Sequence, residues 1–175
     1  DAKLFVLFIV SDRFGPAAGT PILADIRNIA TKLGNPEVTA RLHVFVAQAE
    51  AKRGLLENAK RHITIARGIL QTFPNAYLEG FVGNLDLAIA VLRSELDVAR
   101  EIGQRAVELA ELSGAGRLRK AVLGNMGNLY CELGEFDRAT SYFERALSVP
   151  PPTGINTTAI LDSLARVHLL QGSAD

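Results

Sequence analysis

Apolar residues recur along this chain at helical spacing, in blocks separated by Gly, Pro, Ser and Asn. Pro36 to Arg53 carries Val38, Leu42, Phe45, Val46 and Ala49 on one helical face. Leu56 to Gln71 repeats the pattern with Ala59, Ile63, Ala66 and Leu70. Glu79 to Leu92 is apolar on several sides, which predicts a well-buried helix. Glu95 to Leu112, Arg117 to Leu133, Phe136 to Val149 and Thr157 to Gln171 complete the series. In the last of these, Leu161, Leu164, Ala165 and His168 are expected to pack. Phe73-Pro74-Asn75, Ser113-Gly114-Ala115-Gly116 and Pro150-Pro151-Pro152-Thr153-Gly154 read as the connections. The triple proline cannot continue a helix.

The blocks repeat. Ala59, Ala99 and Ala139 are forty residues apart, and so are Ala66, Ala106 and Ala146. Two alanines seven apart share a helix face two turns up, where a small side chain lets a neighbouring helix axis come close. A tight turn precedes each of these helices, at Gly54, Ser94 and Gly134, and a fourth is expected at Gly172. Near the start, Thr20-Pro21 reads as an N-cap followed by Pro at the first helical position. Ile22, Ile26, Ile29, Ala30 and Leu33 then share a face that ends at Gly34. Leu4 to Arg13 is expected to be the first helix of a degenerate hairpin, although its Phe, Val and Ile would also suit a buried strand.

Composition narrows the function classes. Hydrophobic residues are 48% of the 175 and aromatics 6%, with no Trp, which suits helix-on-helix packing. Lys plus Arg and Asp plus Glu are 19 each, so no net charge draws the chain to nucleic acid or an anionic membrane. Cys131 is the single cysteine, so no intrachain disulfide forms. The apolar run Leu4 to Val10 is too short to span a bilayer and lacks signal-peptide flanks. A cytoplasmic protein is expected, with no membrane partner. The start at Asp1 and the stop soon after Gly172 suggest part of a longer protein.

The segment from Gly127 to Pro151 resembles the tetratricopeptide repeat. The small, aromatic, Gly and Ala positions of that family fall on Gly127, Tyr130, Gly134, Phe136, Ala139, Phe143, Ala146 and Pro151, and all eight match. Neighbouring copies keep Ala47, Gly54, Ala59 and Ala66, then Ala99 and Ala106, then Ala165, His168 and Gly172. The resemblance implies an all-α fold, a right-handed α–α superhelix of antiparallel helix pairs. It divides the chain into a degenerate hairpin over 1–35 and an array over 36–75, 76–116, 117–152 and a truncated 153–175. The forty-residue spacing is similar to the long-repeat variety of the family.

In this family the first helix of each pair lines a concave groove. Carried over, the groove residues are Arg41, Phe45, Gln48 and Lys52, then Phe81, Asn84 and Ala88. Gly124, Asn125, Asn128 and Glu132 follow, and Asp162 and Arg166 complete the set. Asn both donates and accepts, so Asn125 and Asn128 suit an extended peptide backbone. The plainer reading is that both are ordinary residues of the fold. Arg117, Arg119 and Lys120 form a small basic cluster whose plainer reading is a solvated helix start. No aromatic stacking platform accompanies it, which weighs against nucleic acid. His43, His62 and His168 show no metal-ligand spacing, and no metal or other cofactor is expected. Cys131 lacks an activating base. Asn156-Thr157-Thr158 is a formal glycosylation sequon without a secretion signal.

The function expected is therefore non-catalytic recognition of a protein or peptide segment, within a larger signalling or regulatory protein. Self-association through exposed terminal helices is the first alternative, and homo-oligomers would follow from it. A small-molecule sensor arm of a transcription regulator is the second. No nucleophile, acid and base set points to an enzyme.

Overall fold

A computed structural model describes residues 19–150 and 155–172, together with Val6 and Val10. Eight helices follow one another among the described residues: α1 (Thr20–Leu33), α2 (Pro36–Lys52), α3 (Leu56–Thr72), α4 (Ala76–Leu92), α5 (Leu96–Leu112), α6 (Gly116–Glu132), α7 (Phe136–Ser148) and α8 (Ile155–Gly172). No strand occurs among the described residues. The fold is all-α, built from helices that pack on their sequence neighbours. Val6 and Val10 are helical, and the remainder of the expected Leu4–Arg13 helix lies outside the described residues. The chain forms two compact units, residues 1–85 and 86–175, dividing inside α4.

Local chemistry sets the helix ends. The Asn35 side chain accepts the Val38 N–H at 3.2 Å, and Pro36 starts α2 where no N–H is required. Asn75 does the same for α4, accepting from the Leu78 N–H at 3.0 Å. The Glu79 carboxylate reaches back to the Asn75 N–H at 3.1 Å, which makes the cap reciprocal. For α1 the N-cap is Gly19, not the expected Thr20, with Pro21 in the first turn.

The three turns inside the repeats are copies of each other. The N–H groups of Leu55, Glu95 and Glu135 each reach the carbonyl five residues back, on Glu50, Ala90 and Tyr130, at 2.9 Å. This is the bond that closes a helix through one left-handed residue. That residue is Gly54 (φ 75), Ser94 (φ 59) or Gly134 (φ 72). Ser94 is the one non-glycine residue at positive φ among the described residues, so the second turn is strained where the others are not.

In the first unit α1 packs on α2 and α2 on α3. Ile26, Ala30, Leu42 and Val46 form a buried cluster bordered by Ile22, Leu23, Val38 and Phe45. Ala59 and Ala66 are fully buried on α3, with Ile63 and Leu70 beside them. The alanines spaced seven apart in the sequence thus lie on the buried face of α3.

In the second unit α6 packs on α5, α7 and α8, and α7 also packs on α8. Ala99, Ala106, Ala139 and Ala146 are all fully buried. Phe143 is fully buried and lies over Gly127. Burying a side chain of this class contributes about 1.5–3 kcal/mol. Tyr130 stacks on Tyr142 with centroids 5.3 Å apart, and Arg138 and Arg145 lie over the two rings. α7 ends at Ser148, and Val149 turns to extended backbone as the residue before Pro150 must. Pro151 to Gly154 lie outside the described residues.

α8 departs from expectation in which face it buries. Ile160 and Val167 are buried, whereas Leu161, Ala165 and His168 are exposed and Leu164 is half-buried. Ile160 sits against Gly124 of α6. The face carrying Leu161, Ala165 and His168 corresponds in register to Leu123, Gly127 and Tyr130 of α6, which α7 covers. No described element covers it on α8, so His168 is not the packing residue expected. Gly172 is the last residue of α8, and the turn expected there falls beyond the described residues.

Candidate functional site

The residues carried onto the first helices fall into two stretches, one in each unit. In the first unit α2 presents Arg41, Phe45 and Gln48 half-buried and Lys52 exposed. Arg41 is held by Glu37 one turn earlier, with Nε and Nη2 donating to one carboxylate oxygen at 3.0 and 2.6 Å. That pairing fixes the guanidinium against Glu37. Phe45 and Phe81 meet with centroids 6.5 Å apart, and Phe81 meets Tyr77 edge-on at 6.1 Å. The three half-buried rings form one aromatic strip along α2 and α4. Tyr77 is absent from the expected set, although its place one helical turn before Phe81 was a usable signal.

In the second unit α6 presents Asn125 and Asn128 half-buried and Glu132 exposed, and α8 presents Asp162 and Arg166 exposed. The Arg166 guanidinium on α8 acts electrostatically on the Cys131 side chain on α6. Burial pushes the Cys131 thiol up, Arg166 pulls it back, and Glu132 adds to the rise. Glu132, Cys131 and Arg166 therefore form one electrostatic group on α6 and α8. The thiol is half-buried and kept protonated, which makes it a poor nucleophile at neutral pH.

Two of the expected residues occupy inward positions. Asn84 is 8% exposed. Gly124 is buried, and an added Cβ there would meet Ile160 Cγ1 at 3.2 Å. Both stand in the register of Val44, which is also buried, so this register position faces the packing and not solvent. The outward positions instead repeat as residues 41, 45, 48 and 52 on α2, and 121, 125, 128 and 132 on α6, half-exposed at the first three of each and exposed at the last. Ala88, half-buried, holds the same register on α4.

The basic cluster is split. Lys120 is 6% exposed and its Nζ donates to Thr157 Oγ1 at 3.1 Å, tying α6 to α8. Arg117 remains exposed. Asn156 belongs to α8, and its side chain lies outside what the structure describes. No set of three or more His, Cys, Asp or Glu able to hold a metal ion occurs among the described residues.

A separate open groove of about 780 Å³ lies in the first unit, between the end of α1, the start of α2 and the end of α3. Ala30, Thr39, His43, Ile65, Gly68 and Thr72 line it. It contains none of the residues expected from the sequence. The sequence did carry a signal. Ile65 and Gly68 stand forty residues before Arg105 and Glu108, which form an exposed ion pair at 2.7 Å on α5. The α3 surface is apolar and open where the equivalent surface of α5 is charged.

The tetratricopeptide repeat family model matches residues 85–151. That match supports a tetratricopeptide-repeat assignment, and repeats of this kind are protein–protein interaction modules. No curated protein matches the chain. No helix among the described residues is long and apolar enough to cross a membrane.

Proposed function

We propose that the chain is a non-catalytic recognition module in which the first-type helices of each compact unit, taken by itself, hold an extended segment of a partner protein. The observation that carries this is the recurring half-exposed register on α2 and α6, with Phe45 and Gln48 in one unit and Asn125 and Asn128 in the other. Half-buried side chains are already ordered before a ligand arrives, so less conformational entropy is lost on binding. The Phe45, Phe81 and Tyr77 strip offers apolar contact, and the two asparagines offer backbone-type hydrogen bonds. Forty-residue helix pairs of the long-repeat variety, set in a larger signalling or regulatory protein, fit this role.

The test compares retention of partners by the wild type and by a folded Asn125→Ala, Asn128→Ala double variant. Peptides tiled across any retained protein then locate the bound segment. Loss of a bound peptide with the double variant supports the proposal for the second unit, and loss with Phe45→Ala supports it for the first. Equal retention by all three proteins refutes it.

Self-association is a second reading, favoured by the uncovered face of α8. Leu161 is 51% and Leu169 72% exposed there. Sedimentation at rising concentration separates the two readings. A mass that doubles, and stays single after Leu161→Gln with Leu169→Gln, supports association through α8. A monomer throughout removes it.

A further inference from the structure

The exposed face of α8 reads the same in both directions. At about 100° of turn per residue, Leu161 and Leu169 lie about 40° to either side of Ala165, and Thr158 and Gly172 about 20° to either side. All five are exposed. A leucine forms hydrogen bonds only through its main chain, so the side chain that Leu169 presents outward is purely apolar. The order small, large, small, large, small is unchanged when the chain direction is reversed. A surface of that kind is complementary to a second copy of itself turned end for end.

We infer, resting on the reading of self-association through α8, that two copies of this chain pair along α8 in antiparallel fashion, about a two-fold axis beside Ala165. Leu161 of each copy packs on Leu169 of the other. Ala165 meets Ala165 at the centre, where a small side chain lets the helix axes approach to about 8 Å. Thr158 and Gly172, also small, meet near the ends of the contact. The face that α7 covers on α6 is thus covered on α8 by the α8 of a second copy.

The charges beside the stripe select the antiparallel arrangement. Asp162 and Arg166 are exposed and stand one turn apart on the same side of it. A two-fold axis perpendicular to both helices keeps like sides together. It sets Asp162 of each copy about 3 Å along the helix direction from Arg166 of the other, within the reach of a guanidinium. In a parallel pair the same side would meet Leu164 and His168 of the second copy, and no carboxylate of α8 would face Arg166. In the single chain Arg166 acts on the Cys131 side chain. A carboxylate is the stronger partner for a guanidinium, so the contact across the pair takes precedence.

The contact is small. One helix per copy lies at the low end of specific interfaces, so the pair exchanges with single chains as concentration changes. Reversing one charge in each of the two ion pairs replaces two attractions by two repulsions, which weakens the dimer about tenfold.

The experiment is sedimentation equilibrium of this chain at rising concentration, for the wild type, Asp162→Arg, Arg166→Asp and an equimolar mixture of the two variants. Each variant alone sets like charges against each other and is expected to raise the dissociation constant about tenfold. In the mixture each introduced charge meets its opposite on the other chain, so heterodimers form with wild-type affinity. Rescue between chains cannot come from a structural role within one chain. A wild type that associates, with a mixture no tighter than the variants alone, overturns the antiparallel pairing and leaves self-association standing. A wild type that stays monomeric overturns both and leaves the α8 face to a helix of another protein. Should either variant fail to fold, Ala165→Cys in a Cys131→Ser background decides. A disulfide-linked dimer supports the pairing, and its absence under oxidation overturns it.

Discussion

Gly127→Ala and Gly68→Ala are the same chemical change in two helices, and the structure gives them opposite signs. At Gly127 an added Cβ would stand 2.5 Å from Cδ1 and 2.7 Å from Cζ of Phe143, with Cε1 also in the way. Ordinary carbon contacts need about 3.5–4.0 Å, so the ring must retreat by roughly 1 Å. Phe143 is fully buried, so its ring can retreat only by displacing its packing neighbours. Overpacking of this kind costs about 1–3 kcal/mol, and three ring atoms in contact place it near the upper end. Replacing Gly by Ala inside a helix returns about 1 kcal/mol, leaving a net loss of roughly 2 kcal/mol. At Gly68 the added Cβ meets nothing within 4 Å, so only the favourable helix term of about 1 kcal/mol remains. The assay is urea unfolding followed by far-UV circular dichroism on both variants. A Gly127→Ala, Phe143→Leu double variant, in which the smaller side chain clears the Cβ, completes a cycle. The double variant is expected to be at least about 1 kcal/mol more stable than the two single effects predict together. A Gly127→Ala protein as stable as the wild type, or a strictly additive cycle, refutes the claim that close approach at Gly127 closes the α6·α7 hairpin.

Other outcomes follow from single positions. Ser94→Gly should raise stability by about 1 kcal/mol in the same assay, because it removes a side chain from a left-handed residue while its counterparts are already Gly54 and Gly134. Asn75→Ala should cost about 1 kcal/mol by removing the acceptor for the Leu78 N–H. Alkylation of Cys131 should follow a pH profile whose midpoint lies above that of an exposed thiol, because burial raises its pKa. Arg166→Ala should move that midpoint higher still, since the guanidinium opposes the rise. A raised thiol pKa also means that its stabilising contribution is present below the ordinary thiol value and is lost as pH climbs through the folded-state value. A thermal midpoint that rises across that alkaline range would contradict this sign.

The half-exposed face of the first-type helices was legible in part. The register of residues 45, 48, 125 and 128 followed from helical spacing, because side chains three or four residues apart share a face whatever the neighbours are. Asn84 and Gly124 went astray by one position on that face, and one position is a rotation of about 100°. Such a rotation separates a half-exposed side chain from one packed under Ile160. Lys120 misled for a different reason. Its charge marked it as a surface residue, but its long stem runs inward and delivers Nζ to Thr157.

By itself the sequence determined the helices, their turns and the buried alanines. These depend on contacts within a few residues: a cap, a left-handed turn, a face of small side chains. Ala59, Ala66, Ala99, Ala106, Ala139 and Ala146 are all fully buried, as their spacing required. Tertiary packing decided what no local pattern contains. It brought the Nδ1 atoms of His43 and His62, nineteen residues apart in the chain, to 2.8 Å from each other. It gathered Phe45, Phe81 and Tyr77 into one strip and set Arg166 beside Cys131. It also left Leu161 and His168 uncovered, because whether an apolar helix face is buried depends on which element lies against it, and periodicity records the face without its neighbour.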